Sequence, residues 1–585
     1  MKRISVAFLF VAYLFGCSTP EVTSLHESAN ADNSFKNFET RFLDAYWKQY
    51  PSNAISIGYG KYYDRLSIPD SNYFAGVSHF SAEWLDSLHS MSIDALSDKS
   101  KISYRIIANQ LSSDRWYIDT LKSQEWNPAS YNISGECYYL LTQPWAPLDE
   151  KLKTLATHIQ NADEFYHHAL LTIHHPVKEY VGLAIQQNEG GLDVFGKDLQ
   201  DSINQSHLDP STKDSLRKNI DRCTQAMKGY VTSLKAMLSD KNTAFRDFRL
   251  GKSLYNTKFK YDLVTHFTPE EIFTKAMEDK KYYQQRMYSL SVGMWPTYCR
   301  DIPKPTDSLE LVKAVIDRIS IHHADPAHLL DTLTGQVQAL QNFILEKNLF
   351  NYDTTFSLKV RLMPAYERGV SLASAESIPP YQHEGTTYFN IEDLSQLPKE
   401  SADGTLKEYN NYSLQYLTIH EAMPGHCLQG IYSNTRSHDI IKSVLQNGTM
   451  IEGWAVYCES MMFEEGWGHH SPEMELFQDK WKLRELCNVI LDYGVQCLNY
   501  SREDVALLLK NGAFQTDAQI NEKYHRATVS QVQLCSYYAG FLEIMSLRND
   551  FKKKSGDQYQ LKDFHEKFLS YGSAPVKYIR EMMLK

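Results

Sequence analysis

Apolar positions recur every three or four residues along most of this chain, and each such stretch predicts an amphipathic helix. Asn37 to Trp47 has this spacing. So does Ser81 to Leu121, through Leu85, Leu88, Ile93 and Leu96 and then Ile102, Ile106, Ile107 and Leu111. Leu152 to Ile185 predicts long helices broken at Pro176, and Leu199 to Leu238 a helical hairpin divided near Asp209-Pro210. Thr268-Pro269-Glu270-Glu271 is a strong helix start, because Thr268 can cap free N–H groups, Pro269 loses nothing at the first position and Glu271 can close a capping box. Its helix is expected to run through Met277 to about Tyr288, with two more at Leu309 to Ile321 and Pro326 to Asn348. Pro51 to Pro69 reads as a turn and a short extended piece. Asn127 to Pro147, rich in Tyr, Trp and Pro, reads as a loop folded over something.

The period changes from about 3.6 to 2 at Thr354 to Leu362, which predicts a strand. Tyr381 to Ile391 carries a second strand candidate at Gly385 to Asn390. An edge strand of such a sheet can hold an extended peptide by strand addition. Tyr409 to Gly430 then reads as one helix, with Tyr412, Tyr416, Ile419 and Met423 along one side.

Length and composition frame these elements. The 585 residues exceed one ordinary core, so several domains or one multi-lobed helical body is expected. A helical lobe over 38–350 and a catalytic lobe over 351–585 is the division the pattern suggests. At 43% hydrophobic and 22% charged the chain is globular. Its 38 Tyr and 26 Phe suit a polar-lined cavity as well as core packing. The net charge of −11 without a Lys/Arg cluster weighs against a nucleic-acid partner. Oligomeric state is not legible.

At the N-terminus, Lys2-Arg3 precedes a mostly apolar run, Ile4 to Phe15, too short to span a bilayer. Gly16-Cys17 follows directly. The pattern resembles a bacterial lipoprotein signal: residues 1–16 removed, Cys17 lipidated, and 17–37 a polar tether. The expected location is therefore outside the cytoplasm, anchored to a membrane. The other eight cysteines include no CxxC pair, which weighs against a cysteine zinc site, and buried small hydrophobes are expected.

Candidate chemistry is concentrated in His420-Glu421-Ala422-Met423-Pro424-Gly425-His426 and in Glu452-Gly453-Trp454-Ala455-Val456-Tyr457-Cys458-Glu459. Two imidazoles, an adjacent carboxylate and a later Glu are the groups of a hydrolytic metal site. The spacing is unusual. Zinc peptidases place their histidines at i and i+4 on one helical face. Six residues on a regular helix leave the rings about 240° apart, unable to share an ion. Pro424-Gly425 lies in the gap, where Pro removes a donor and Gly tolerates distortion. A deformed turn could bring His426 back toward His420. Alternatively the helix ends at Met423, with His426 in a loop or the next helix.

His-Glu-x-x-Pro-Gly-His-x-x-Gln at His420 to Gln429, with Glu-Gly-Trp-Ala-x-Tyr-x-Glu at Glu452 to Glu459, resembles the signatures of the DUF885 family. That family comprises large, mostly helical, frequently exported proteins similar to zinc-dependent peptidases. Supporting resemblances are Pro51…Gly58…Tyr63-Asp64…Leu66…Pro69-Asp70 near the start and Phe564-His565…Leu569…Gly572-Ser573…Pro575 near the end. The resemblance implies a mainly α, multi-lobed, zincin-like metallopeptidase fold with a small β-sheet beside the active-site helix, and one Zn2+. His420, His426 and Glu452 would be ligands and Glu421 the general base. Glu459, two turns beyond Glu452, would orient a ligand histidine.

Arg526…Gln533…Ser536-Tyr537…Gly540…Arg548 resembles a further family segment. It makes Tyr537 the candidate oxyanion donor, Tyr538 its possible substitute and Arg526 a clamp for a substrate carboxylate. Tyr388 and Gln496 are further candidate substrate contacts. The chain departs from the family at Asn488 and Gln496, where Arg and His are usual, and at Gln531-Val532, where Pro-Gly is usual. The implied function is hydrolysis of peptide bonds, in short peptides. The alternatives are another amide or ester, or a surface lipoprotein that binds peptides or glycans without turnover.

Overall fold

The computed structural model describes residues 20–353, 355–364, 371–382, 385–437 and 439–585. The signal segment 1–16 and Cys17 lie outside them. Among the described residues no helix is long and apolar enough to cross a membrane.

The chain begins as one long helix, α1 (Pro20–Gln49), where a polar tether was expected up to residue 37. The reason is burial. Phe35 and Phe38 lie in the main core beside Phe42, Tyr46 and Trp47, so the apolar stripe starts before the predicted boundary and the helix continues through it. The hairpin split at Asp209-Pro210 is present: α2 (Pro210–Ser239) starts at the Pro, and Asp209 accepts the Thr212 N–H at 3.0 Å. α3 (Pro269–Tyr298) carries the predicted capping box, with Thr268 N–H to Glu271 Oε2 at 2.8 Å and Glu271 N–H to Thr268 Oγ1 at 3.2 Å. It runs ten residues past Tyr288, because Met294 and Trp295 are still buried against the core. Two helices, Ser308–Ile319 and Leu329–Glu346, follow as the periodicity predicts.

Helices from Ser134 to Ser239 enclose a smaller core of their own, in which Leu152, Tyr166, Val181, Leu216 and Tyr230 meet. The main core holds residues from both sides of position 350, for example Phe42 and Leu340 with Phe389 and Trp454. The expected division at 350/351 therefore separates no two cores. The lobe that stands apart is internal to the first half, because its helices pack mostly on each other.

Both predicted strands form, as β1 (Leu358–Leu362) and β3 (Thr387–Ile391), paired in parallel. β2 (Ala373–Glu376) joins the other side of β3 in antiparallel register, with Ala375 opposite Phe389. It is too short to show alternation in the sequence. The order β1-β3-β2 makes a small open sheet that leans on the helices carrying the candidate site.

Candidate metal centre

The stretch read as one helix, Tyr409 to Gly430, is two: α4 (Ser413–Glu421) and α5 (His426–Thr435). Asn410 starts the first, its side-chain oxygen accepting the Tyr412 N–H at 3.0 Å. Tyr416, fully buried, donates to the Met474 carbonyl at 2.9 Å and fixes the helix to its neighbour. The break occupies Ala422 to Gly425. Ala422 has φ −103° and ψ −84°, and the Met423-Pro424 peptide is cis. Gly425 N–H then returns to the Ile419 carbonyl at 3.0 Å. Only glycine fits there: a Cβ on residue 425 would lie 1.9 Å from the His420 carbonyl oxygen. The first helix therefore ends before Met423 and His426 opens the next one, as the alternative reading has it, and the irregular turn between them still brings the two rings together.

Helix α6 (Gly448–Glu464) crosses this turn and pins it. Trp454 Nε1–H donates to the Pro424 carbonyl at 2.9 Å, and Cys458 Sγ–H reaches the same oxygen at 3.5 Å. Trp454 is fully buried and serves as a strut. From the same helix Glu452 projects between the imidazoles. Its Oε2 lies 3.6 Å from His420 Nε2 and 3.4 Å from His426 Nε2. The two rings are 4.7 Å apart between centroids and nearly perpendicular, at 85°. His420, Glu421 and His426 also each present one donor atom within 4.8 Å of the others, so Glu421 borders the same space.

Glu459, two turns along α6, accepts His420 Nδ1–H at 2.7 Å. That bond assigns the proton to Nδ1 and leaves Nε2 free as a donor to an ion. Glu459 also accepts Trp481 Nε1–H at 3.0 Å and has Lys482 Nζ at 3.8 Å. Trp481 and Lys482 belong to α7 (Pro472–Cys497). Neither carried a signal in the sequence, since both meet the site only when α6 and α7 pack.

The electrostatics follow from crowding five ionisable groups, His420, Glu421, His426, Glu452 and Glu459. Burial would lower the His420 pKa, but the nearby Glu452, Glu459 and Glu421 carboxylates outweigh it and hold it well above the usual value. Burial would raise Glu452, yet the facing imidazoles of His420 and His426 hold it well below the usual carboxylate range. Glu421 is raised by burial, with His426 and His420 opposing and Glu452 adding to the rise.

These residues fit a metal ion. Glu452 Oε2 is buried without a hydrogen-bond partner, facing two imidazole nitrogens. A tetrahedral ion with bonds of about 2.1 Å sets its donors about 3.4 Å apart, close to the separations seen. Two N and one O donor suit zinc. His426 Nδ1 has no hydrogen-bond partner among the described residues, so only one of the two rings is oriented from behind.

Tyr537 lies beside the centre, its ring stacked 6.4 Å from that of His420. It sits in the first turn of α9 (Ser536–Ser555). Arg526, from α8 (Asp517–Ser530), donates through Nη2 to Tyr537 Oη at 3.1 Å and to Gln533 Oε1 at 2.9 Å. Since the guanidinium only donates, the Tyr537 O–H keeps its proton for another acceptor. Burial, with the Glu452 charge adding to it, raises the Tyr537 pKa and keeps the phenol protonated.

Three expected substrate contacts are engaged elsewhere. Tyr538 faces the opposite side of α9, is 1% exposed and bonds Asp279 of α3. Consecutive helical residues diverge by about 100°, so Tyr537 and Tyr538 cannot share a cleft. Gln496 is buried and spent at both ends, accepting Leu250 N–H at 3.0 Å and donating to the Ala527 carbonyl at 2.8 Å. Tyr388 is covered by the Arg361 guanidinium, 3.7 Å from its ring centroid.

A large helical body with a two-histidine, two-carboxylate centre at a broken helix is the class that fold and site define. The chain belongs to the DUF885 family, described as "Bacterial protein of unknown function", whose model matches residues 51–583. A solved structure described as a "putative lipoprotein of unknown function" from Shewanella oneidensis is 38% identical, with a TM-score of 0.85 over 94% of this chain and 100% of that one. A second "putative lipoprotein", from Colwellia psychrerythraea, is 15% identical with a TM-score of 0.78, over 94% and 98%, and shares the fold. No curated protein matches the chain.

Proposed function

We propose that this protein is an exported, lipid-anchored hydrolase that cleaves peptide bonds at a zinc centre. The observation that carries the reading is the convergence of His420 Nε2, His426 Nε2 and the unpartnered Glu452 Oε2 on one space. The ion, when bound by these three residues, polarises the scissile carbonyl and makes water a nucleophile at neutral pH. Glu421 accepts the proton of the attacking water and returns it to the leaving amine. A group that binds the ion is a poorer base, which divides the work between Glu452 and Glu421. Tyr537 donates its O–H to the developing oxyanion, and Arg526 holds the phenol in place. Glu459 keeps His420 in the tautomer that binds.

The lipid anchor rests on Lys2-Arg3, the apolar run and Gly16-Cys17, together with the lipoprotein description of the Shewanella protein. Cys17 would carry the acyl chains and place the enzyme on a bacterial membrane, facing the periplasm or the cell surface.

The test combines metal analysis with a mixed-peptide digest of wild type and Glu421→Gln. The expected result is one zinc per chain in both proteins, with cleavage by the variant at least 10²-fold slower. No bound metal, or equal cleavage, overturns the reading. A second reading is hydrolysis of another amide or ester, or binding of peptide or glycan without turnover. It is favoured by the internal engagement of Tyr538 and Gln496, which spends two of the expected substrate contacts inside the fold. Metal bound with no peptide cut by wild type would select it.

A further inference from the structure

Three cations, Arg484 of α7 and Lys523 and Arg526 of α8, gather where these two helices face each other beside the candidate centre. Arg484 and Asn488, four apart on α7, share one face, and Lys523 and Arg526, three apart on α8, share another. Lys523 Nζ–H donates to Asn488 Oδ1 at 2.9 Å and joins the two faces. Lys523 is 3% exposed.

None of the three cations has a carboxylate within 4 Å among the described residues, although a buried cation such as Lys523 is ordinarily paired and Arg484 and Arg526 are half-buried beside it. Their hydrogen bonds go to neutral groups. Arg526 reaches Gln533 and Tyr537, Lys523 reaches Asn488, and Arg484 Nη1 reaches Tyr409 Oη at 3.2 Å. Arg484 also lies over the Trp481 ring, 5.1 Å from its centroid. Two carboxylates stand further off and favour the Arg484 charge: Glu408, already tied to Lys480 at 2.6 Å, and the exposed Glu522. They leave the cluster net positive. Burial, and then the charges of Arg484 and Arg526, push the Lys523 ammonium well below its ordinary pKa, the mark of a cation short of a counter-charge.

The cluster adjoins the catalytic groups on two sides. Arg526 bonds Tyr537, which stacks on His420. Trp481, under Arg484, bonds the Glu459 that orients His420.

We propose that Arg484, Lys523 and Arg526 form an anion subsite that takes a carboxylate of the substrate, so that the centre acts beside a negatively charged group. This rests on the hydrolase reading for the word substrate, but binding tests it separately. The carboxylate has two sources, the free end of a peptide or an acidic side chain. The fork of an Arg matches a carboxylate in two hydrogen bonds, and the ammonium adds a point charge.

The experiment uses the mature chain carrying Glu421→Gln and loaded with zinc. N-acetyl-Ala-Phe, its C-terminal amide, and the amide of N-acetyl-Ala-Glu are titrated by calorimetry, with succinate as a small dicarboxylate control. The expected result is at least tenfold tighter binding of one carboxylate-bearing peptide than of the uncharged amide. Preference for the free acid assigns a chain terminus, and preference for the Glu amide assigns a side chain. Lys523→Met, which removes the ammonium and keeps a buried apolar stem, should bring the ratio toward one, and Arg484→Met should do the same. A ratio within one sample is insensitive to the fraction folded. Equal binding of all three peptides, a ratio unchanged in both variants, or no binding of any peptide or of succinate overturns the subsite. Cleavage of acid and amide alike by wild type would leave the hydrolase standing without it. Discrimination without cleavage would leave the subsite standing without the hydrolase.

Discussion

At the scale of single residues, Gly425 decides whether the centre exists. The chain must return the His426 ring to His420 within six residues, and the return brings residue 425 against the preceding backbone. In Gly425→Ala the new Cβ, 1.9 Å from the His420 carbonyl oxygen, would force that carbonyl and its ring aside. The expected outcome is loss of zinc binding and a stability cost of about 1–3 kcal/mol or more, as for other overpacked sites. Metal content and a urea midpoint measure both, and a variant that keeps full zinc would refute the account. Glu459 acts one bond further out. Glu459→Ala removes the acceptor of His420 Nδ1–H and is expected to weaken zinc binding about 10–100-fold. Competition with a chelator gives the number directly, and an unchanged affinity would remove Glu459 from this role.

At the scale of elements, two helices bring the two halves of the chemistry together. α6 carries Glu452 and Glu459, and α9 carries Tyr537. They meet backbone to backbone at Gly453 and Gly540. A Cβ on Gly540 would sit 2.0 Å from the Thr449 carbonyl, and one on Gly453 would sit 2.4 Å from the Gly540 Cα. Gly540→Ala must therefore spread the pair, at a cost of about 1–3 kcal/mol. It would also move Tyr537 from His420 and slow turnover more than it changes metal content. An activity loss matched by an equal zinc loss would argue against this placement of Tyr537. The loop entering α9 is held in the same spirit. Gln531 and Val532 have φ of 38° and 72°, rare for residues with side chains, and Asp492 accepts the Val532 and Leu534 N–H groups at 3.0 and 3.2 Å. The positions were visible in the sequence as departures from Pro-Gly, but their conformation was not.

At the scale of the molecule, His565 ties three distant segments into the core. Its Nδ1–H donates to the Leu349 carbonyl at 3.0 Å, and its Nε2 accepts the Tyr457 O–H at 2.8 Å. Burial depresses its pKa to about 3, with the Leu349 bond opposing and the Arg548 charge adding. An unfolded His binds its proton near pH 6.5. The folded form therefore contributes stability that is complete above about pH 6.5 and is lost as pH falls toward 3, by about 1.4 kcal/mol per pH unit. Urea unfolding at pH 7, 5 and 4 should show this slope in wild type and one proton less of it in His565→Gln. Equal slopes would sink the assignment.

The sequence by itself located most of the helices and the two longer strands and offered the residues of the candidate centre, but it read Pro51–Ser56 as a turn and Ser134–Thr142 as a loop where helices form. What it located rests on local rules: the 3.6-residue period, the capping box at Thr268, the alternation before Leu362 and a short motif that cannot lie on a regular helix. It also pointed to Pro424-Gly425 as the place where a regular helix would have to give way if His420 and His426 were to meet. Tertiary structure alone decided what each partner does. It pointed Tyr537 toward His420 and Tyr538 toward Asp279, spent Gln496 on two backbone groups, covered Tyr388 with Arg361, and set Trp481 and Lys482 behind Glu459. It also gathered Arg484, Lys523 and Arg526 from two helices that no local pattern connects. The physical reason is range: periodicity reports which face of a helix is buried, whereas the neighbour it is buried against is chosen by packing across hundreds of residues.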